Sequence, residues 1–211
     1  MANSGAIIPA QAILKTPAVT ETGDTATGAR GELAALQAEN RALRLALAEM
    51  ERVATLDTLT PVHNRRFFLA EINRRLARIR RYGDAVIVMF VDLNNLKSIN
   101  DAHGHGAGDA VLMCVANRLR RNVRETDVVA RIGGDEFGLL FDAMDDAQAA
   151  EKISILRAVM AEKPVRYGAV DVQPSAAFGF ARVGPDDDEN TALARADAAM
   201  YQDKALKSIA G

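Results

Sequence analysis

Two stretches of this sequence carry charged side chains at spacings suited to chemistry on a phosphate. The first is Arg131-Ile-Gly-Gly-Asp-Glu-Phe137, where two glycines and two carboxylates lie between apolar runs over 127–132 and 137–141. Paired glycines let a chain reverse between strands, because φ > 0 carries no Cβ penalty there. A doubly acidic turn at such a reversal suits a hard cation such as Mg²⁺, which takes carboxylate oxygen and leaves positions open for phosphate. Taken alone, Gly133-Gly-Asp-Glu136 fits a solvated acidic hairpin equally well. The second stretch starts at Asp92, the last polar step of an otherwise apolar run over 85–93. A carboxylate at that position is costly unless it is paired or bound to metal. A glycine-rich segment follows, with Gly104, Gly106 and Gly108 close together, and reads as a loop that opens a helix and cradles phosphate. Lys97 supplies a cation for a polyphosphate, while Asn100 and Asp109 supply the amide and carboxylate that read a purine edge. A glycine-rich loop is weak evidence by itself. A second acidic element on a hairpin beside the Asp92 strand gives it weight.

The elements that must position these groups follow from periodicity. The run over 85–93 is apolar throughout, as in a central strand covered on both faces. Helical spacing marks 64–82, with Phe68, Ile72, Leu76 and Ile79 on one face and Arg74, Arg75, Arg78, Arg80 and Arg81 on a face expected to be solvated. Further helices are expected over 111–123, 150–160 and 191–207, and strands near 165–167 and 175–183. The sum is an α/β fold, a single domain with a central mixed sheet flanked by helices.

Ahead of that domain, Leu33, Leu36, Asn40, Leu43, Leu47 and Met50 alternate at spacings of 3 and 4. With Leu33 at a, Asn40 and Leu47 also fall at a, and Leu36, Leu43 and Met50 at d. One Asn at an a position favours a parallel two-stranded coiled coil in fixed register, and Glu39 at g faces Arg44 at the next e. An amphipathic helix packed on its own domain is the alternative. About three heptads make a weak dimer alone. Three segments are therefore expected: a disordered tail over 1–29, rich in Ala, Thr, Gly and Pro; a coiled-coil dimerisation helix over 30–54; and the α/β domain over 55–211.

Composition narrows the partners. A net charge of −2 argues against a polyanion-binding surface, and so against nucleic acid. The single cysteine, Cys114, excludes an intramolecular disulfide and sits in a helical apolar pattern as a small core residue. No apolar run approaches the roughly 20 residues that span a bilayer, so membrane insertion is not expected. The N-terminus lacks the basic and apolar regions of a signal peptide, and the expected location is cytoplasmic.

Four ordered signatures, over 57–66, 92–109, 131–137 and 196–204, make the chain from Leu56 to Lys207 resemble a GGDEF domain, the catalytic domain of diguanylate cyclases. The resemblance implies that two GTP molecules are joined into cyclic di-GMP with release of two pyrophosphates, by a homodimer held through the coiled coil. It implies Mg²⁺, with Mn²⁺ as a substitute, bound by Asp92, Asp135 and the Leu93 carbonyl. Glu136 would bind metal or activate the attacking hydroxyl, so that Asp135 and Glu136 are the catalytic pair. Gly133 and Gly134 would let the hairpin approach the nucleotide. Asn100 and Asp109 would bond guanine, and Lys97, Lys204 and the backbone amides of Asn94, Asn95 and Leu96 would hold the β- and γ-phosphates. Arg124 and Asp127 match an inhibitory RxxD site for cyclic di-GMP, with Arg157 a candidate third member. Two non-catalytic alternatives stand beside this: a cyclic di-GMP receptor and an interaction module.

Several positions depart from the family pattern. Asn94 replaces an acidic residue beside the metal site, Leu96 an aromatic one and Pro61 a glycine. The Gly-Arg-Asn expected after Lys204 is absent, and Lys207 substitutes only partly. Weaker GTP affinity is the expectation, not loss of activity.

Overall fold

In the computed structural model, the backbone is described over residues 22–210 and side chains over 30–206. Most of the expected 1–29 tail, and the Lys207 side chain, lie outside that range. Two compact units divide between Ala48 and Glu49. The first contains the greater part of α1 (Thr22–Thr55), which begins ahead of residue 30. Leu33, Leu36, Leu43 and Leu47 are all more than half exposed along it.

The second unit is built on a five-stranded mixed sheet. In chain order its strands are β1 (His63–Asn64), β2 (Val86–Leu93), β3 (Val128–Arg131), β4 (Glu136–Asp142) and β7 (Ala176–Val183). The spatial order is β1-β3-β4-β2-β7, with β1 and β3 parallel and the other pairs antiparallel. A separate hairpin joins β5 (Val165–Tyr167) to β6 (Val170–Val172). Apolar except for Asp92, β2 is an interior strand with both its faces covered. On one side Ile87, Met89 and Val91 meet Phe137, Leu139, Val115 and Leu156; on the other Val86 and Val88 meet Phe68, Ile72, Leu140 and Ala196.

The helices covering these faces have local reasons to start and stop. Asn64 caps α2 (Arg65–Tyr82) by accepting the Phe67 N–H, and Gly83, at φ 72°, ends it by donating to the Ile79 carbonyl. Asp145 and Gln148 close a capping box on α5 (Asp146–Ala161). The last helix is α6 (Glu189–Ala210).

Two expectations change. The glycine-rich segment after β2 is helical: α3 (Leu96–His103) and α4 (His105–Arg121) meet at Gly104, whose φ of 81° caps both. Its other two glycines serve packing. A Cβ on Gly106 would strike the Tyr167 hydroxyl, and one on Gly108 would strike the Asn100 amide. The arginine face of α2 is only partly solvated. Arg75 is 6% exposed and bonds Glu71 at 2.6 Å, Asp142 at 2.9 Å and the Thr126 carbonyl. Two carboxylates make its burial tolerable.

Candidate active site

Asp92 and the acidic turn come together because β2 and β4 are register partners. Asp92 pairs with Glu136, which puts both side chains on the face covered by α2 and α6. The Leu93 N–H donates to the Asp135 carbonyl at 3.0 Å, tying the turn to the end of β2. From α6, Lys204 donates to Asp92 Oδ1 at 2.7 Å.

The turn is shaped otherwise than its sequence suggests. Neither Gly133 nor Gly134 has positive φ. Gly133 leaves room for the Glu136 carboxylate, which a Cβ there would displace; the surroundings of Gly134 are open and nothing in the structure explains it. The Arg131 guanidinium spans the turn, donating to the Gly134 carbonyl at 2.7 Å and to Asp57 Oδ1 at 3.4 Å. Asp57 also accepts the Thr60 N–H and hydroxyl and the Leu59 N–H. Asp57 and Arg131 are positioning residues that sequence reasoning passes over, since they meet across 74 residues of chain.

The electrostatics match a cation. Burial, then Asp135, Asp92 and Asp197, push the Glu136 carboxyl above its ordinary range against the pull of Arg65. The bond to Asp92 raises the Lys204 ammonium, with Asp135 and Glu136 adding to it against burial. No group of three or more His, Cys, Asp or Glu is preassembled as a metal cluster among the described residues. Two carboxylates and a carbonyl, completed by water and phosphate oxygens, are nonetheless the partial shell Mg²⁺ accepts. The negative charge of Asp135, Asp92 and Asp197, which adds to burial in raising Glu136, is the observation that fits this donor set to a divalent cation.

Beyond β2 the remaining candidates spread along α3 and α4. Asn95 turns the chain into α3 with φ 61°. Asn94 is tied to the start of β7, its N–H donating to the Ser175 carbonyl at 2.9 Å and its amide to the Ser175 hydroxyl at 3.1 Å. Serving a phosphate would require that N–H to leave Ser175. Leu96 points into the core and Lys97 is exposed. Asn100 lies against the turn of α4 that carries Gly108 and the exposed Asp109. Its Oδ1 is buried with no hydrogen-bond partner among the described residues. An orphaned acceptor there is the state expected of a group that meets a ligand donor. A cavity of about 290 Å³ opens between α2 and α6, on the face that carries Glu136, floored by Phe68 and Phe90 and reached by Glu136 and Asp197; Asp92, Asn100 and Asp109 do not line it.

Arg124 and Asp127 form a second cluster. Asp127 accepts the Arg124 N–H at 2.8 Å, closing a turn just before β3. Burial raises the Asp127 carboxyl against Arg124 and Lys152. A second cation, Lys152 on α5, acts on Asp127 and lines a cavity of about 200 Å³ with Arg124 and Gln148. Arg157 points elsewhere, to Asp203 at 2.5 Å. Five residues along a helix rotate a side chain by about 140°, so only the packing of α5 decides which cation faces the turn.

With this geometry in place, known proteins can be compared. The family described as "Diguanylate cyclase, GGDEF domain" matches residues 54–208. The diguanylate cyclase TpbB of Pseudomonas aeruginosa is 37% identical over 158 residues, 73% of this chain and 36% of that protein. The bifunctional diguanylate cyclase/cyclic di-GMP phosphodiesterase MucR of the same species is 36% identical over 80% of this chain and 25% of its own length. The chain thus spans about a quarter to a third of these curated relatives. Among solved structures, the coiled coil and GGDEF domain of DgcB from Caulobacter crescentus, in complex with c-di-GMP, matches with a TM-score of 0.76 at 29% identity, covering 83% of this chain and 93% of that one. The isolated GGDEF domain of TpbB matches at 0.66 and 37% identity, over 71% of this chain and 88% of that one. The acidic turn facing Asp92, the helices that follow it and these matches lead to one conclusion: the chain belongs to the GGDEF diguanylate cyclase family.

Proposed function

We propose that this chain is a diguanylate cyclase, condensing two GTP into cyclic di-GMP and two pyrophosphates as a homodimer. The observation that carries the proposal is the register pairing of Asp92 with Glu136, which gathers the acidic turn and Lys204 at one strand end. Guanine presents N–H donors on its pairing edge, and the free Asn100 Oδ1 and the Asp109 carboxylate accept them. Lys97 and Lys204 hold the β- and γ-phosphates, together with backbone amides at the start of α3. Lys204 has three N–H donors, so it can keep Asp92 while meeting a phosphate. Asp92, Asp135 and the Leu93 carbonyl would hold Mg²⁺, or Mn²⁺ through the same oxygens. When bound, Mg²⁺ polarises the α-phosphate and lowers the pKa of the attacking hydroxyl. Glu136, its carboxyl already raised, accepts the proton that the 3′-hydroxyl loses.

Each 3′-oxygen forms a bond to the partner's α-phosphorus, each α–β bond breaks, and two pyrophosphates leave. One domain holds one GTP, so two must face each other. The exposed Leu33, Leu36, Leu43 and Leu47 on α1 supply a zipper that raises their effective concentration. Arg124, Asp127 and Lys152 form the feedback site, with the Arg124 guanidinium and the Lys152 ammonium on phosphate and Asp127 accepting from guanine.

The alternative is a receptor that binds cyclic di-GMP without making it. Its support is the ion pair by which Lys204 neutralises Asp92. Protein stripped of bound nucleotide and incubated with GTP and Mg²⁺ separates the readings. The cyclase reading predicts cyclic di-GMP by chromatography. Binding of cyclic di-GMP without synthesis would establish the receptor, and no nucleotide binding at all an interaction module.

A further inference from the structure

Helix α6 carries a second anchor next to Lys204. Asp203 accepts the Phe178 backbone N–H through Oδ2 at 2.9 Å and the Arg157 guanidinium through Oδ1 at 2.5 Å. Phe178 belongs to β7, the edge strand, whose other side is bonded to β2. Its neighbour Ala177 is the register partner of Asp92. Asp203 therefore grips the sheet edge one residue from the position abreast of Asp92, and the next residue of α6 delivers its ammonium to that carboxylate.

Arg157 reaches Asp203 from α5, whose Leu156 and Met160 pack on the opposite face of the sheet from Ala192 and Ala196 of α6. The guanidinium also lies over the Phe178 ring, 5.5 Å from its centroid. One carboxylate thus joins the two helix layers around the edge of β7. The Asp203 side chain is 19% exposed, so its charge-assisted bonds are partly shielded from water. A lysine has a long, flexible stem and loses rotamer freedom when held in one geometry. Fixing the backbone beside it reduces the range of positions its ammonium must sample.

We propose that Asp203, clamped by Arg157 and the Phe178 N–H, is a positioning residue for Lys204, setting the turn of α6 from which the ammonium reaches Asp92. Its consequence for nucleotide rests on the reading above, in which Lys204 also binds the triphosphate. Asp203→Ala removes both bonds of the clamp. Asp203→Asn keeps an acceptor for Phe178 and loses the ion pair, and serves where the alanine variant does not fold.

Two readouts on the full chain separate the clamp from the phosphate assignment. In nucleotide-free protein, the rate of Lys204 acylation, read by mass spectrometry, reports how well its ammonium is held on Asp92. Both Asp203 variants should accelerate it about tenfold, the scale of one charge-assisted hydrogen bond. An unchanged rate in the folded variants overturns the proposal. Binding of a non-hydrolysable GTP analogue is then compared across Asp203→Asn, Lys204→Ala and the double variant. Each single change should weaken binding, and the double no more than Lys204→Ala alone. Additive losses would also overturn the proposal, since they make Asp203 act independently of Lys204. Faster acylation with analogue binding unaffected by Lys204→Ala would uphold the clamp and refute the phosphate role of Lys204.

Discussion

The Asp57 carboxylate shows how far a single side chain can be read before its partners are known. Burial raises its pKa, but the Thr60 hydroxyl and N–H, Arg131 and the Leu59 N–H outweigh burial and hold it below the ordinary value of 3.8. A depressed carboxylate adds stability that is fully present above its unfolded pKa and is lost as the pH falls through the folded one. Asp57→Asn is therefore predicted to cost about 1–2 kcal/mol near neutrality, the gap to wild type narrowing as the pH drops below 3.8. Urea unfolding across that range checks it, and a gap that stays constant would show the charge is immaterial. Asp92, Asp135 and Glu136 are legible in sequence because each is chemically out of place where it stands: a carboxylate at the end of an apolar run, two more in a glycine turn. Arg131, Lys152 and the buried Arg75 are not, because their roles are set by partners far along the chain. The glycines mislead for a related reason. Gly133 and Gly108 each leave room for the side chain that lies against them, Glu136 and Asn100, which no local pattern records.

At the scale of elements, periodicity locates β2, α2, α5 and α6 to within a few residues, since each buries a continuous face. It misses α3 and the start of α4, where Lys97, Asp101 and His103 interrupt the apolar spacing and three glycines imitate a loop. The helical pairing matters to the site, because the contact between α3 and α4 is what sets the Asn100 amide. Gly108→Ala tests that contact. Alanine is the better helix former by roughly 0.5–1 kcal/mol, so the fold should survive while the new Cβ displaces Asn100. The KM for GTP is predicted to rise about tenfold, the cost of one lost hydrogen bond to the base, with the melting temperature little changed. A KM equal to that of wild type would remove Asn100 from base recognition.

For the whole molecule, the proposed cyclase reading requires that two half-sites meet, and the heptad stripe that includes Leu33, Leu36, Leu43 and Leu47 is the element proposed to bring them together. Replacing Asn40 and Leu43 by proline costs about 3 kcal/mol or more at each helical position. The variant is predicted to be monomeric in sedimentation and to lose most turnover at low protein concentration. A fully active dimer after that change would make the zipper dispensable. The most direct measurement is product formation itself. Stripped wild type and Asp135→Ala are incubated with GTP and Mg²⁺, and cyclic di-GMP and pyrophosphate are quantified together. Wild type should release two pyrophosphates per cyclic di-GMP, and the variant should fall by about a thousandfold or more, the scale of losing a metal-held charge at the reacting phosphate. No cyclic di-GMP from wild type, or full turnover by Asp135→Ala, would contradict the account.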